Sequence, residues 1–246
     1  MATTGDMLIF DQEPTDWVGL QNRVGQLFSE LGCEVRVDAR VKLARSTKRV
    51  DVWVRDPHVT PISEYLCECK YWNKRIPQEI VHSFLTVVSE YGAHRGIIVS
   101  RAGFQAGARK AACKTNLDLV TFSRLQEIFF DRWRIAMGKR FMPYGDRLFP
   151  YWDYPGKMPQ VKWGTEHVKR QRLLIEAYAP LVHLGPNLEH TSFAWELPMT
   201  LPKLDGHGNV SGSITLASYR QLYDFIDQNK DEALKHFQIL FGEIDA

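Results

Sequence analysis

Three charged residues lie on two neighbouring stretches with the alternating pattern of strands. Asp51 lies in Val50–Val54, and Glu68 and Lys70 lie two residues apart in Leu66–Lys70. Because residues two apart on a strand point the same way, Glu68 and Lys70 are expected to project from one face. A hairpin between the two stretches brings Asp51 alongside them. Two carboxylates at one point form a hard-oxygen site of the kind that binds Mg²⁺.

This pattern predicts metal-dependent hydrolysis of a phosphodiester. Asp51 and Glu68 are the expected metal ligands, and the carbonyl of Cys69 between the strand residues offers a further oxygen. A bound Mg²⁺, for which Mn²⁺ is an expected substitute, polarises a phosphate and lowers the pKa of its water. Lys70 would orient that water or neutralise developing negative charge. The alternative on spacing alone is that all three are surface charges on a half-exposed hairpin.

The elements that must position these residues follow from hydrophobic periodicity and from glycine and proline positions. The predicted order is α-β-β-β-α-β-α-β-α, which gives an α/β fold with a mixed central sheet flanked by helices. The predicted elements are a helix over 17–31, strands over 34–41, 50–54 and 64–71, a helix over 77–91, a strand over 95–100, a helix over 105–114, a strand over 117–122 and a helix from Ser123 to about Met137.

The composition changes after Gly138, so residues 15–137 are predicted to form one domain, preceded by a tail over 1–14. The predicted connector, 138–165, is rich in proline and aromatic residues, among them Tyr154, Pro155, Pro159 and Trp163. Its rings are expected to pack along the first domain, or else to be presented to unpaired bases. Residues 166–246 are predicted to form an α+β module. Its predicted elements are a helix over 166–178, a hairpin around 205–209 and helices over 216–228 and 231–241.

Charge and composition describe a soluble protein with an uneven charge distribution. The formal net charge is +2, but seven basic residues lie between Arg36 and Arg55, whereas six acidic residues follow from Asp224 to the end. The basic stretch suits a polyanion and the acidic end suits a protein contact. No apolar run approaches the ~20 residues that cross a bilayer, and no secretory signal is visible, so we expect no membrane partner and a cytoplasmic location. The four cysteines are predicted to be buried hydrophobes.

Four stretches in order resemble the restriction endonuclease-like superfamily, whose signature is PD-(D/E)xK, and within it the Mrr-type nucleases. They are W-V-G-L-Q-N-R-V-G-Q-L-F-S-E-L-G-C-E-V, R-V-D-V-W-V, Y-L-C-E-C-K-Y-W-N-K-R-I-P and Y-G-A-H-R-G-I-I-V-S-R-A-G-F. The resemblance covers roughly 16–130 and implies Mg²⁺-dependent hydrolysis of DNA. It places the signature acid at Asp51, the second acid at Glu68 and the lysine at Lys70.

Around the centre formed by Asp51, Glu68 and Lys70, this sequence departs from the family's usual pattern. Family members often carry an acid on the first helix, where this chain has Gln21, which puts a second metal or full activity in doubt. Gln78 matches a position where Mrr-like members often have a polar residue near the site. The usual glycine-rich approach to the aspartate is replaced by Arg45–Arg49. We expect four basic residues to contact the nucleic-acid backbone. They are Arg45, Lys48 and Arg49 of this stretch, and Lys74.

Two functions are compatible with the sequence. The first is an active DNA endonuclease, in restriction or antiviral defence, which the intact Asp51, Glu68 and Lys70 favour. The second is a catalytically inactive subunit that keeps the nuclease fold and binds nucleic acid or assembles a defence complex, which Gln21 favours. In either case we expect a homodimer or higher homo-oligomer, with a protein partner conceivable for 166–246.

Overall fold

The chain separates into two compact units, Met1–Trp133 and Arg134–Ala246. This computed structural model describes residues 8–153, 156–157, 164–184 and 195–245. The division falls close to residue 137, where the composition predicts the end of the first domain. The domain limits at 14, 137 and 165 stay predictions.

The first unit has the predicted order of helices and strands. Its elements are α1 (Trp17–Glu30), β1 (Glu34–Lys42), β2 (Thr47–Asp56), β3 (Ser63–Lys70), α2 (Gln78–Tyr91), β4 (Arg95–Ser100), α3 (Ala106–Ala112), β5 (Leu117–Thr121) and the beginning of α4 (Phe122–Trp152). The strands form one sheet in the order β1-β2-β3-β4-β5. The first two pairings are antiparallel and the last two are parallel, which confirms the predicted mixed sheet flanked by helices.

Local sequence signals account for the ends of the helices that cover this sheet. Asp16 caps α1, because its carboxylate accepts a hydrogen bond of 2.6 Å from the backbone N–H of Gly19. α2 ends at Gly92, which adopts the left-handed conformation (φ 79°) that glycine takes without steric cost. The apolar face of α2 packs on the sheet. This core includes Leu66, Val81, Phe84, Ile98 and Phe104.

The helix that begins at Phe122 corrects one prediction. We predicted an end near Met137, but α4 continues to Trp152 with Pro143 and Pro150 inside it. Proline removes a backbone donor, a cost that burial of apolar side chains in this stretch can offset; the buried ones include Phe141, Leu148 and Tyr151. The predicted connector is therefore helical up to Trp152, whereas Tyr154, Pro155, Pro159 and Trp163 lie outside the described residues.

The second unit contains helices and a two-stranded sheet, as predicted. Its further elements are α5 (Thr165–Ala177), α6 (Ala179–Val182), β6 (Met199–Leu204), β7 (Val210–Leu216) and α7 (Tyr219–Leu240). The predicted hairpin is confirmed, since β6 and β7 pair antiparallel. The two predicted final helices are one helix, α7, because an apolar face with buried Phe225, Ile226, Ala233 and Phe237 runs through the expected break.

Two smaller points concern burial. Tyr151 of the predicted connector packs against Phe237 and Phe241, inside the second unit rather than along the first. Cys33, Cys67 and Cys69 are buried as predicted, but Cys113 is exposed because it follows the last turn of the short helix α3.

No helix in the described parts of the chain is long and apolar enough to cross a membrane.

Candidate active site

Asp51 lies at the point where β2 and β3 stop pairing. The antiparallel register runs from Asp56 opposite Ser63 to Val52 opposite Cys67 and ends there. The Oδ2 atom of Asp51 then accepts a hydrogen bond of 2.6 Å from the backbone N–H of Cys69. The aspartate side chain therefore takes the place of a strand carbonyl and is held against β3.

Glu68 and Lys70 lie at the end of β3, on the face that carries Leu66. Their side chains are 20% and 18% exposed, and they form a close ion pair with each other. Lys70 is the last residue of β3 and lies opposite Ser100 of β4. The structure therefore brings both residues to one half-buried point at the carboxyl end of the strand.

The two carboxylates are close enough to affect each other. Burial and the negative charge of Glu68 raise the pKa of Asp51 to about 6. The hydrogen bond from the Cys69 N–H, the charge of Lys70 and a hydrogen bond from the Trp17 side chain each act in the opposite direction and lower this pKa. Burial disfavours the ionised form and a like charge does the same. A positive charge between the two carboxylates would relieve both effects.

The first helix supplies two polar groups to the same point. The indole N–H of Trp17 donates a hydrogen bond of 3.1 Å to the carbonyl of Cys69. One turn later, the side-chain amide of Gln21 donates a hydrogen bond of 3.0 Å to the backbone carbonyl of Asp51. α1 thus holds the backbone of both strands that carry the charged residues.

The residues present fit a divalent cation that keeps several water ligands. Among the described residues, no group of three or more His, Cys, Asp or Glu side chains is placed to bind a metal. The centre offers instead the carboxylates of Asp51 and Glu68, with the Cys69 carbonyl beside them. Mg²⁺ characteristically takes one or two carboxylates and completes its shell with water and phosphate oxygens.

The fold and this centre occur in the part of the chain that matches a known family. A model of the Mrr catalytic domain, described as a restriction endonuclease, matches residues 13–129. Residues 13–129 are a restriction endonuclease domain. The domain contains every residue of the centre, from Trp17 to Lys70, and the whole five-stranded sheet.

Two solved structures are similar to the chain that carries this restriction endonuclease domain. A crystallised protein of unknown function, AF1548, is 14% identical with a TM-score of 0.39, and the alignment covers 72% of this chain and 92% of that one. The DNA modification-dependent restriction endonuclease AspBHI is 10% identical with a TM-score of 0.34, over 52% of this chain and 38% of that one. A comparison with curated proteins finds no match.

Gln78, the predicted site residue at the start of α2, lies against α3. It is the first residue of α2 and is exposed. Its side chain covers Gly107 of α3, where an added β-carbon would lie 3.0 Å from the Gln78 Oε1 atom. No hydrogen bond joins Gln78 to Asp51, Glu68 or Lys70 in the described structure, so its catalytic role stays a prediction.

The basic residues predicted to contact nucleic acid are all exposed, but they differ in surroundings. β2 begins at Thr47 rather than at the predicted Val50, so Lys48 and Arg49 lie on a strand. Pairing with β1 extends the strand to this point. Arg49 forms an ion pair with Asp38, whereas Arg45 and Lys48 form no ion pair with any of the residues that the structure describes.

Lys74 lies near the centre of the restriction endonuclease domain. Its ammonium nitrogen is 5.7 Å from the centroid of the Trp72 ring, and that of Lys70 is 5.8 Å from the same centroid. The tryptophan thus has both lysines beside its ring.

Sequence reasoning missed Trp17 as part of the site. In the sequence it is the first apolar residue of a helical stripe, and nothing about its type distinguishes it from the core residues that follow. Its 45% exposure and its bond to the Cys69 carbonyl become visible only in three dimensions. The spacing of four residues to Gln21, which places both on one helix face, is the signal that could have linked the two.

Proposed function

We propose that this chain is a Mg²⁺-dependent endonuclease that hydrolyses phosphodiester bonds in DNA. The observation that carries the proposal is the carboxylate pair of Asp51 and Glu68 beside Lys70, in a restriction endonuclease domain. A phosphodiester is an anion, and two carboxylates alone would repel it. The arrangement makes chemical sense where a cation neutralises the carboxylates and the lysine faces the phosphate.

Each residue has a distinct task in this proposal. Asp51 and Glu68 would hold the metal, with the Cys69 carbonyl as a further oxygen. A Mg²⁺ ion held there would supply Lewis acidity to the phosphate and to the attacking water near neutral pH. The Lys70 ammonium, which pairs with Glu68 in the structure, would orient the attacking water or stabilise charge on the phosphate.

Contacts outside the centre position the substrate without reading its sequence. Arg45, Lys48 and Lys74 are exposed cations of the kind that bind DNA phosphates. Arg49 is expected to contribute less, because its guanidinium already pairs with Asp38. Binding should therefore weaken steeply as salt is raised.

A second candidate function is a subunit that binds nucleic acid without cleaving it. Gln21 favours it, because its amide occupies the first-helix position next to Asp51 and is used to hold the Asp51 backbone. The first turn of α1 carries no acidic residue that could replace it.

Plasmid cleavage tests the proposal. The purified chain is incubated with supercoiled plasmid and with linear duplex in Mg²⁺, Mn²⁺ or EDTA, beside Lys70→Ala. Lys110→Ala, which removes an exposed lysine on α3, is the matched control. Cleavage that requires metal, disappears in Lys70→Ala and persists in Lys110→Ala supports the nuclease. Absent cleavage together with absent metal binding would favour the non-cleaving subunit.

The remaining expectations are proposals of the same kind. A homodimer would give paired cuts on duplex DNA, and light scattering on the purified chain tests it. A protein partner for residues 166–246, a cytoplasmic location and a role in restriction or antiviral defence are expected from charge, composition and the resemblance.

A further inference from the structure

A cavity of about 260 Å³ opens at the carboxyl-terminal edge of the five-stranded sheet, beside the proposed centre. Its walls come from the segment before α1, from the ends of β3, β4 and β5, and from the start of α4. The residues that matter for its chemistry are Glu13, Tyr71, Arg101, Thr121, Phe122 and Ser123. None of them has a task in the proposed hydrolysis.

The cavity begins at the end of β3, the strand whose last residue is Lys70. Tyr71 directly follows Lys70 along the chain, and the backbone N–H of Arg101 donates a hydrogen bond of 3.1 Å to the Lys70 carbonyl. Two walls of the cavity are therefore bonded to Lys70, one through the peptide bond and one through this hydrogen bond. A group inside the cavity would lie next to the nucleotide whose phosphate is at the centre.

The volume limits what can enter. Ligand pockets in proteins usually measure about 300–1,000 Å³, so this cavity lies just below that range. A duplex is far too large, whereas a single nucleobase is of suitable size. Enzymes that act on DNA bind an extruded base by stacking it on aromatic or apolar side chains and by hydrogen-bonding its Watson–Crick edge.

The cavity walls carry an aromatic ring for stacking and polar side chains for hydrogen bonding. The half-buried ring of Tyr71 is fixed by its hydroxyl, which donates a hydrogen bond of 3.0 Å to the Pro14 carbonyl. The ring of Phe122 is 3% exposed and stacks on Phe10, so it forms an apolar part of the wall. Glu13 adds a carboxylate, which accepts a hydrogen bond of 3.4 Å from the Ser123 hydroxyl. A carboxylate accepts well from the amino group of a base such as cytosine.

Arg101 lies at the rim with spare donors. Its guanidinium carbon is 4.6 Å from the Tyr71 ring centroid, and one of its nitrogens donates to the Asn73 side chain at 2.6 Å. The side chain is exposed, and a guanidinium has five N–H groups. The others can bind the phosphate that flanks an extruded base.

We propose that this cavity receives one extruded base of the DNA strand, a base with an exocyclic amino group, beside the phosphate to be cut. The inference rests on the proposed function and adds to it that the substrate is DNA with an unpaired nucleotide at the cleavage point. Tyr71 stacks the base beside the apolar wall that includes Phe122, Glu13 accepts from its amino group, and Arg101 binds the neighbouring phosphate.

Binding affinity tests this inference without cleavage. The full chain with Lys70→Ala is titrated in Mg²⁺ with labelled duplexes, one fully paired and one with a single unopposed cytosine, and anisotropy gives the two dissociation constants. We expect roughly tenfold tighter binding of the unopposed cytosine, because no base pair has to be opened. Adding Ser123→Phe, which fills the cavity mouth, should abolish the preference, and Ser123→Ala, which leaves the mouth open, should retain it. Thermal unfolding verifies that the variants fold.

A second comparison tests the role of Glu13. The Lys70→Ala chain should bind a duplex with an unopposed cytosine more tightly than one with an unopposed thymine. Adding Glu13→Gln should reduce this difference in dissociation constant. Equal affinity for paired and unopposed duplexes would overturn the base pocket, even where the wild-type chain cuts plasmid DNA and the nuclease proposal stands. Failure to bind either duplex would also overturn the base pocket, whereas plasmid cleavage by the wild-type chain decides the nuclease proposal separately.

Discussion

The Asp51 carboxylate accepts the backbone N–H of Cys69 at 2.6 Å, at the point where β2 and β3 stop pairing. This single contact ties the proposed metal ligand to the strand that carries Glu68 and Lys70. Because an amide oxygen also accepts hydrogen bonds, an asparagine can keep the contact while it loses the charge. The positional and the chemical roles of Asp51 can therefore be separated.

Asp51→Asn is expected to abolish metal binding and cleavage while the fold is retained. Cleavage should fall by at least about 100-fold, the scale on which charged groups act in active sites. Without metal, the unfolding midpoint should not fall, because the repulsion between Asp51 and Glu68 is removed. Titration calorimetry with Mg²⁺ and thermal unfolding measure the two effects. Asp51→Ala, which also loses the hydrogen bond, should be less stable than Asp51→Asn by about 1 kcal/mol; equal stabilities would contradict the structural role.

Trp17→Phe is expected to weaken activity without affecting the fold. The substitution keeps an aromatic ring and removes the N–H that donates to the Cys69 carbonyl at 3.1 Å. Groups that orient metal ligands typically contribute 10- to 100-fold in metal affinity or activity, and for this half-exposed residue we expect about tenfold. Cleavage rates over a Mg²⁺ titration measure it. Val18→Ala, at the neighbouring exposed position, is the control. An equal loss of cleavage rate in both variants would contradict a specific role of the indole N–H.

The mixed sheet was predictable because each of its strands carries its own signal. Val50–Val54 alternates, so its partner across a hairpin follows from chain order, and Arg95–Ser100 is continuously apolar as a strand covered on both faces should be. Strand parity also places Glu68 and Lys70 on one face. The roles of these residues stay predictions, since geometry brings groups together without performing the reaction.

Long-range contacts explain what the sequence did not reveal. Pro143 and Gly138 favour an end of the helix by local rules, but burial of side chains such as Phe141 and Leu148 keeps α4 helical beyond both. The hydrogen bond from Trp17 to the Cys69 carbonyl spans 52 residues of chain, and no local pattern encodes it. The cysteines show the same limit, because the residue type alone predicts burial for all four, whereas Cys113 is exposed in the fold.

Arg132→Gln is expected to destabilise the first unit in a pH-dependent way. Two guanidinium nitrogens of Arg132 donate to Asp56 at 2.6 and 2.7 Å, and the Asp56 side chain is 0% exposed. Burial alone would raise the pKa of Asp56, but bonds from Arg132 and the His58 N–H outweigh it, so the pKa lies below its ordinary value. Breaking a buried pair costs about 3–5 kcal/mol, and since Arg132 is partly exposed we expect about 2–3 kcal/mol at pH 7.

The sign of the pH effect follows from the lowered pKa. The stabilisation by the ionised Asp56 is present above the unfolded value near 4 and is lost as pH falls through the lower folded value. The difference in unfolding free energy between wild type and Arg132→Gln should therefore shrink below about pH 4. Urea unfolding at neutral and acid pH measures it. Arg124→Gln, which breaks an exposed pair with Glu127, should cost less than about 1 kcal/mol, and a constant difference at all pH values would contradict the assignment.

Gln21→Glu tests whether the amide replaces a metal ligand or supports the backbone. Gln21 is 4% exposed, and its amide nitrogen donates to the Asp51 carbonyl at 3.0 Å. An ionised glutamate would direct an oxygen at that carbonyl, so the donor is lost and repulsion replaces it. We expect a loss of about 1–3 kcal/mol at neutral pH, the cost of an unsatisfied buried polar group, with no additional metal bound. Gln21→Leu removes the donor without adding charge and separates the two causes in urea unfolding. A second Mg²⁺ equivalent in calorimetry, or faster cleavage by Gln21→Glu, would show instead that this position belongs to the metal site and that the native glutamine limits its activity.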